Sequence, residues 1–364
     1  MLNATPPSTS ASSAPLRFSS LPSRRRFVGG LGAAAACLVA SPAQAQNRLE
    51  KPKLTLAVDG KAALYYLPLT LADQLGYFRA EGLDVEFADV ASSANVRQLL
   101  ASGGADVCAG PFEHTLHLQQ KGQWVRSFVL QGRAPQCAFG VSTKLLPAIA
   151  GAADLRGKKI GCADAGSASH MFASIVLLRA GVKPGEVTFV PLATGASALA
   201  ALRGGQIDAL CHTEPVMTLL ESRNEIKTMG DARTLAGTKA VFGGTLPAAC
   251  LFAMEDFVQK MPATCQALTY AVVRTLKWLQ TAGPSDIIKT VPEVYLLNDR
   301  SLYLAAFDKL RESICLDGLM PDDGPRTALG AISGFDSTVD VKTIDLQRSY
   351  TNRFAARAKQ RFNA

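Results

Sequence analysis

The sequence predicts an α/β protein of two similar lobes with a cleft between them, and three observations carry that expectation. Offset against itself by 102 residues, the chain returns one pattern without a gap: Leu75 over Leu177, Val85 over Val187, Phe87 over Phe189, Ala91 over Ala193, Ala94 over Ala196, Leu100 over Leu202, Gly103 over Gly205 and Asp106 over Asp208. Both copies read helix, short strand, helix, tight turn, strand and then a loop, Gly110-Pro111-Phe112-Glu113 in one and His212-Thr213-Glu214-Pro215 in the other. Ligands of open α/β sheets bind outside the carboxyl ends of the strands, so two such lobes meeting edge to edge enclose a cleft. The chain also exceeds the ~250–300 residues at which a single hydrophobic core stops growing. Apolar periodicity shared by all βαβ units is the other source of such a match.

Residues 54–58 form a short apolar strand, and the turn Asp59-Gly60-Lys61 leads into a helix over 63–78. Glu81-Gly82 turns the chain into a strand over 83–90. Apolar spacing predicts a helix over 94–102, stopped by Gly103-Gly104 ahead of a strand over 105–108. A strand over 124–130 ends at Gln131-Gly132-Arg133, and the extended apolar segment 136–142 crosses to the second lobe. The second unit begins at 154–160 and ends near Thr238. Gly243-Gly244-Thr245 precedes a returning strand over 248–254, after which helices are expected over 255–281, 285–296, 301–314 and 325–334. A chain that leaves one lobe, builds another and returns crosses twice, and paired crossovers make a hinge. The hinge falls near residues 133–142 and 242–245, so lobe 1 comprises 46–136 with 243–364 and lobe 2 comprises 137–242.

The first 45 residues hold no acidic side chain and divide as export signals do. Ser23-Arg24-Arg25-Arg26-Phe27-Val28 opens a weakly apolar run over 27–39, and Ala43-Gln44-Ala45 sets cleavage after Ala45. As a helix that run reaches about 20 Å, short of the ~30 Å hydrocarbon core, so it reads as a signal and not an anchor. It resembles the twin-arginine export signal of bacteria, with Val28 where Leu is usual, and makes the periplasm the expected location. Its Arg-rich, Ser-rich composition also fits an organellar transit peptide. Half of the net charge of +8 comes from the leader's Arg17, Arg24, Arg25 and Arg26. The remainder has no basic run or basic–aromatic stripe, which excludes a nucleic-acid footprint. No later stretch has the length and apolarity of a membrane span. The eight cysteines form no C-x-x-C pair. Cys108, Cys162 and Cys211 lie in apolar strand-like runs, where a free thiol serves as a small core residue.

Ala165-Gly166-Ser167-Ala168-Ser169-His170 opens the helical run 171–180. Glycine permits close backbone approach, serine caps the helix and the first N–H groups point outward. That arrangement seats an anion, and equally it makes an ordinary capped helix. The repeat sets this loop opposite Gly60 to Tyr66, where Tyr65 and Tyr66 join Phe112 as aromatic walls for an organic ligand or as core residues. All four histidines, His114, His117, His170 and His212, fall in or beside cleft segments. With Glu113 and Glu214 they raise a metal reading, but their spacing matches neither H-E-x-x-H nor a Cys/His frame, and no metal or other cofactor is expected. Ser167 and His170 share one turn without a G-x-S-x-G elbow, so no catalytic residue is assigned. Glu214 reads either as a helix N-terminal acid or as the partner of a ligand amine. The candidate ligand-binding set is Gly60, Lys61, Tyr65, Tyr66, Gly110, Phe112, Glu113, Gly166, Ser167, Ser169, His170, His212, Thr213, Glu214 and Gly244.

Gly76-Tyr77-Phe78-Arg79-Ala80-Glu81-Gly82-Leu83-Asp84-Val85, Asp154-Leu155-Arg156-Gly157-Lys158-Lys159-Ile160-Gly161, Gly166-Ser167-Ala168-Ser169 and Glu214-Pro215 resemble, in that order, one group of proteins. These are the periplasmic substrate-binding proteins of ABC importers for nitrate, sulfonates, taurine and pyrimidine precursors of thiamine. The resemblance runs over 53–254 and, more loosely, through Tyr350-Thr351-Asn352-Arg353-Phe354. It implies a type II periplasmic binding protein, two α/β lobes with a hinge and an interlobe ligand cleft, acting as a monomer that presents one small ligand to an inner-membrane ABC permease. In sulfonate and taurine relatives the Gly-Ser loop matching Gly166-Ser167 receives the acid group. A small organic anion, a sulfonate, taurine-like compound or carboxylate, is therefore the expected cargo, although this loop carries no basic residue. The cysteine-rich run of the pyrimidine-synthesising relatives is absent, which argues against an enzyme. The alternatives are a binding protein for an aminopyrimidine thiamine precursor, or a metal-dependent or pyrimidine-synthase-like enzyme on the same fold.

Overall fold

The computed structural model describes residues 48–364, so the expected leader and its cleavage site lie outside the described residues. Ten strands form two five-stranded mixed sheets. The first contains β1 (Lys53–Asp59), β2 (Asp84–Val90), β3 (Val107–Pro111), β4 (Val125–Leu130) and, from much later in the chain, β10 (Ala249–Met254). The second contains β5 (Cys137–Ser142), β6 (Lys159–Cys162), β7 (Thr188–Pro191), β8 (Ala209–Thr213) and β9 (Ile226–Asp231). Their orders, β2-β1-β3-β10-β4 and β7-β6-β8-β5-β9, correspond position for position. In each, three parallel strands are followed by a fourth that runs antiparallel to both of its neighbours.

The 102-residue offset carries β3 onto β8 end for end. The recurring acid has a mechanical reason. Asp106 accepts the Thr55 N–H at 3.0 Å and Asp208 accepts the Lys159 N–H at 2.8 Å, so each carboxylate pins the central strand to its neighbour at the start of the pairing. Alternation in the second sheet sorts its side chains onto two faces. Cys137, Phe139, Val141, Ala209 and Cys211 meet the helix Ala168–Arg179 in one core, while Ala138 and Leu210 meet the helices Gly195–Arg203 and Val216–Ser222 in another. A single larger core surrounds the first sheet, with the 20-residue helix Pro262–Thr281 among its walls.

Two expected helices are interrupted. The one over 63–78 becomes a 3-10 turn, Leu64–Tyr66, and the helices Leu67–Gln74 and Tyr77–Ala80, because Gly76 takes φ +70° between them. The one over 255–281 divides into Glu255–Lys260 and Pro262–Thr281, since Pro262 lacks the N–H that a continuing helix needs and suits a first turn. No helix among the described residues is long and apolar enough to cross a membrane. Seven cysteines in the described residues are free and buried.

Candidate functional site

A cavity of about 520 Å³ opens between the two sheets, lined by loops that leave the carboxyl ends of the parallel strands. From the first sheet come Asp59 and Gly60 after β1, Val90 to Ser93 after β2, and Pro111 at the end of β3. From the second come Ala163, Asp164 and Ser167 to Ser169 after β6, Ala193 to Ala196 after β7, and His212 to Val216 at the end of β8. Asp89, Tyr65 and Tyr66 also border it, as do Val294, Tyr295 and Leu297. This is where open α/β sheets hold ligands. The loops around Ala91 and Ala193 are equivalent positions in the two copies of the internal repeat. The candidate set omitted both, although the offset that aligns Ala91 with Ala193 and Ala94 with Ala196 already marked them.

The lining contains Asp59, Asp89 and Asp164 but no lysine or arginine. Asp59 accepts the hydroxyls of Tyr66 and Ser93, both at 2.5 Å, and burial raises its pKa against those hydrogen bonds. Asp89 accepts the backbone N–H groups of Gly60 at 2.8 Å and Lys61. Asp164 spends Oδ1 on the Ala165 N–H at 2.8 Å, and its buried Oδ2 has no partner. Two further buried polar atoms in the lining share that condition, the Tyr65 hydroxyl and His212 Nε2, on residues only 5% and 6% exposed. Native structures rarely leave such atoms unsatisfied, so this trio marks a place for ligand or water.

His212 has a defined hydrogen-bonding sense. Its Nδ1 faces the Thr213 carbonyl oxygen at 3.3 Å, and a carbonyl only accepts, so Nδ1 holds the proton and Nε2 is left as an acceptor. Burial pushes the imidazole pKa down, outweighing the carbonyls of Thr213 and Leu192 that favour the charged ring. Nitrogen NMR of His212 is expected to show a neutral Nδ1–H ring on acidification from pH 8 to the ordinary histidine pKa of ~6.5. An imidazolium signal at pH 7 would contradict that assignment.

The structure brings Gly60, Tyr65, Tyr66, Ser167, Ser169, His212, Thr213 and Glu214 to the cavity and places the other seven candidates outside its lining. Lys61 turns to Asp73 at 2.6 Å and lies over the Phe87 ring. Gly110 is packed between His114 and Phe252, Phe112 is fully buried in the first core, and Glu113 is buried with its pKa pushed up to about 7 by desolvation. Gly166, at φ +75°, donates its N–H to His170 Nδ1 at 3.0 Å, and the His170 ring is wedged edge-on between Phe189 and Phe335. Gly244 lies against Asp323 and Thr327, beside the helix Gly324–Phe335. His114 Nε2 meets the Arg97 guanidinium at 2.8 Å. Among the described residues no group of three or more His, Cys, Asp or Glu side chains is arranged to hold a metal ion.

Two roles expected of lining residues are also corrected. Ser167 Oγ donates to the Asp164 carbonyl at 2.6 Å and caps the His170 N–H at 3.3 Å, while Ser169 Oγ accepts the Ala163 N–H at 3.0 Å. The hydroxyls thus hold the loop together, with the Asp164 carboxylate beside them. The Glu214 side chain is 0% exposed and bound to Arg233 at 2.7 Å and to Thr218, so only its backbone borders the cavity and no ligand amine reaches its carboxylate.

Paired α/β sheets around a cavity of organic-ligand size form the two-lobed fold of the periplasmic binding proteins. A family model described as NMT1/THI5 like matches residues 63–284, more than half of the chain, and the chain belongs to the NMT1/THI5-like family. A solved structure of a protein from Bordetella bronchiseptica RB50 is 47% identical, with a TM-score of 0.84 over 87% of this chain and 100% of that one. The alkanesulfonate-binding protein SsuA from Xanthomonas axonopodis pv. citri, bound to MOPS, shares the fold at 17% identity, with a TM-score of 0.66 over 83% of this chain and 98% of that one. The 4-amino-5-hydroxymethyl-2-methylpyrimidine phosphate synthase of Schizosaccharomyces pombe is 28% identical over 156 residues. That match spans 43% of this chain and 43% of the curated relative's length.

Proposed function

We propose that this protein is the periplasmic solute-binding component of an ABC importer. As a monomer it would close on a small organic solute that donates N–H hydrogen bonds and deliver it to a membrane permease without transforming it. One observation carries the choice of solute: Asp164 Oδ2, His212 Nε2 and the Tyr65 hydroxyl are buried without partners on residues that border a cavity lined by three aspartates and no lysine or arginine. Two of these atoms only accept, so the solute must donate to them. A sulfonate or nitrate would instead meet the like charge of these carboxylates, and the lining supplies no cation, the charge of Arg97 behind it being shared among Asp164, Asp59 and Glu113. An amine, amidine or aminoheterocycle meets the requirement. An aminopyrimidine is the member of that class to which the name of the curated relative points. Micromolar affinity requires about −8.2 kcal/mol, and a few hydrogen bonds in an open groove do not supply it, so the two lobes must bury the solute between them.

A thermal-shift screen tests the proposal, with aminopyrimidines, amidines, guanidines and alkylamines set against sulfonates, taurine, nitrate and carboxylates. At a hundredfold excess over its dissociation constant a ligand stabilises by ~2.7 kcal/mol, which for a chain of this size raises the melting temperature by roughly 4 °C. The expected result is such a rise with at least one N–H donor and none with simple anions. A rise confined to the anions would overturn the choice of solute and leave the binding role standing.

A further inference from the structure

We infer that the solute carries an apolar body in addition to its N–H-donor head, and that residues 293–298 form the wall receiving that body at the cleft mouth. The inference rests on the donor-head reading above and specifies the ligand class of the same cavity. Its basis is a gradient of burial and polarity along the lining. Tyr65 and His212, which hold two of the three unpartnered polar atoms, are almost fully buried and mark the deep end. Val294 and Leu297 are 82% and 44% exposed and mark the outer end.

Scattered exposed apolar residues on a protein surface need no explanation. This pair differs because both border one cavity and both are presented by an anchored segment. Leu296 between them is fully buried in the first core and accepts the Asp299 N–H at 2.9 Å through its carbonyl. On the other side Tyr295 lies close enough to Asp89 and Asp73 that, after burial, their charges further raise its phenol pKa. With Leu296 anchored inward, its neighbours Val294 and Leu297 are held outward. Val90, Ala91 and Ala196 continue the apolar lining along the repeated loops. A cavity of about 520 Å³ falls in the range that buries drug-sized molecules, well beyond the need of an amine or amidine head alone. The recognised class is therefore a nitrogenous donor group joined to an alkyl or aryl body.

Isothermal titration of the purified protein with benzamidine and with 4-butylbenzamidine tests this. Each fully buried methylene strengthens binding about fourfold, so partial burial of the butyl chain is expected to tighten binding about tenfold or more. In Val294→Asp/Leu297→Asp that advantage is expected to fall below about threefold, with the unliganded melting temperature within ~2 °C of the wild type, as suits exposed positions. Equal affinities for the two probes in the wild type would overturn the apolar body and leave the donor head intact. An advantage that survives the double substitution would overturn the assignment to residues 293–298 and free that rim to meet another protein. Binding of neither probe would overturn this inference, and the donor-head reading with it if no other N–H donor of the screen raises the melting temperature.

Discussion

Asp164→Asn is expected to weaken solute binding by about 30-fold or more while leaving the unliganded protein as stable as the wild type to within ~2 °C. Removing one member of a buried charged hydrogen bond costs about 2 kcal/mol or more in affinity. The fold has little at stake. Asp164 Oδ1 accepts the Ala165 N–H, a contact that asparagine keeps, and Ser167 is held by the Asp164 backbone carbonyl. What changes is the free oxygen, Oδ2, which becomes an NH₂ facing the solute's own N–H groups. Titration calorimetry on the solute found in the screen checks this. Unchanged affinity would remove Asp164 from the site.

Arg233→Ala is expected to act in the opposite sense, on stability first. The guanidinium lies within 2.5–2.8 Å of Glu214, Glu221 and Asp231, and Glu221 reaches on to Lys309 at 2.5 Å. Removing one partner of a buried ion pair costs about 3–5 kcal/mol because the other charge is stranded, here that of Glu214. The melting temperature should fall by roughly 5–8 °C. The pH dependence carries a second signature. Glu221 is half-buried, a cost outweighed by its hydrogen bonds from Arg233, Lys309 and Thr228, which hold its pKa down at about 2 against an ordinary 4.5. A depressed folded-state carboxyl adds stability that is fully present above the unfolded value and is lost as the pH falls through the folded one. The gap between wild type and Arg233→Ala should therefore narrow as the pH drops from 4.5 toward 2. A constant gap would place the energy of the network elsewhere.

Much of this fold was legible because it is written in local periodicity. The repeat predicted two α/β units, and the strands expected over 124–130, 136–142 and 248–254 are each within a residue of β4, β5 and β10. The site was legible only as a set of loops. Strand ends name the neighbourhood, but a side chain's task depends on contacts far away in sequence. Glu214 looked free to hold an amine because its partner, Arg233, is 19 residues further on. Glu113, Phe112 and Gly110 stood in a loop that was rightly set at a strand end, yet their burial against β10 follows from a strand 140 residues later. The aspartates had only their places at or near strand ends to announce them. Val294 and Leu297 approach from a helical region with no counterpart in the repeat.

The most direct test is a crystal structure of the complex with whichever solute gives the largest thermal shift. The expected result is a solute between the two sheets, with N–H groups about 2.7–3.2 Å from Asp164 Oδ2 and His212 Nε2. An acid group resting on the backbone N–H groups of Ala168 and Ser169, with Asp164 turned away, would contradict it.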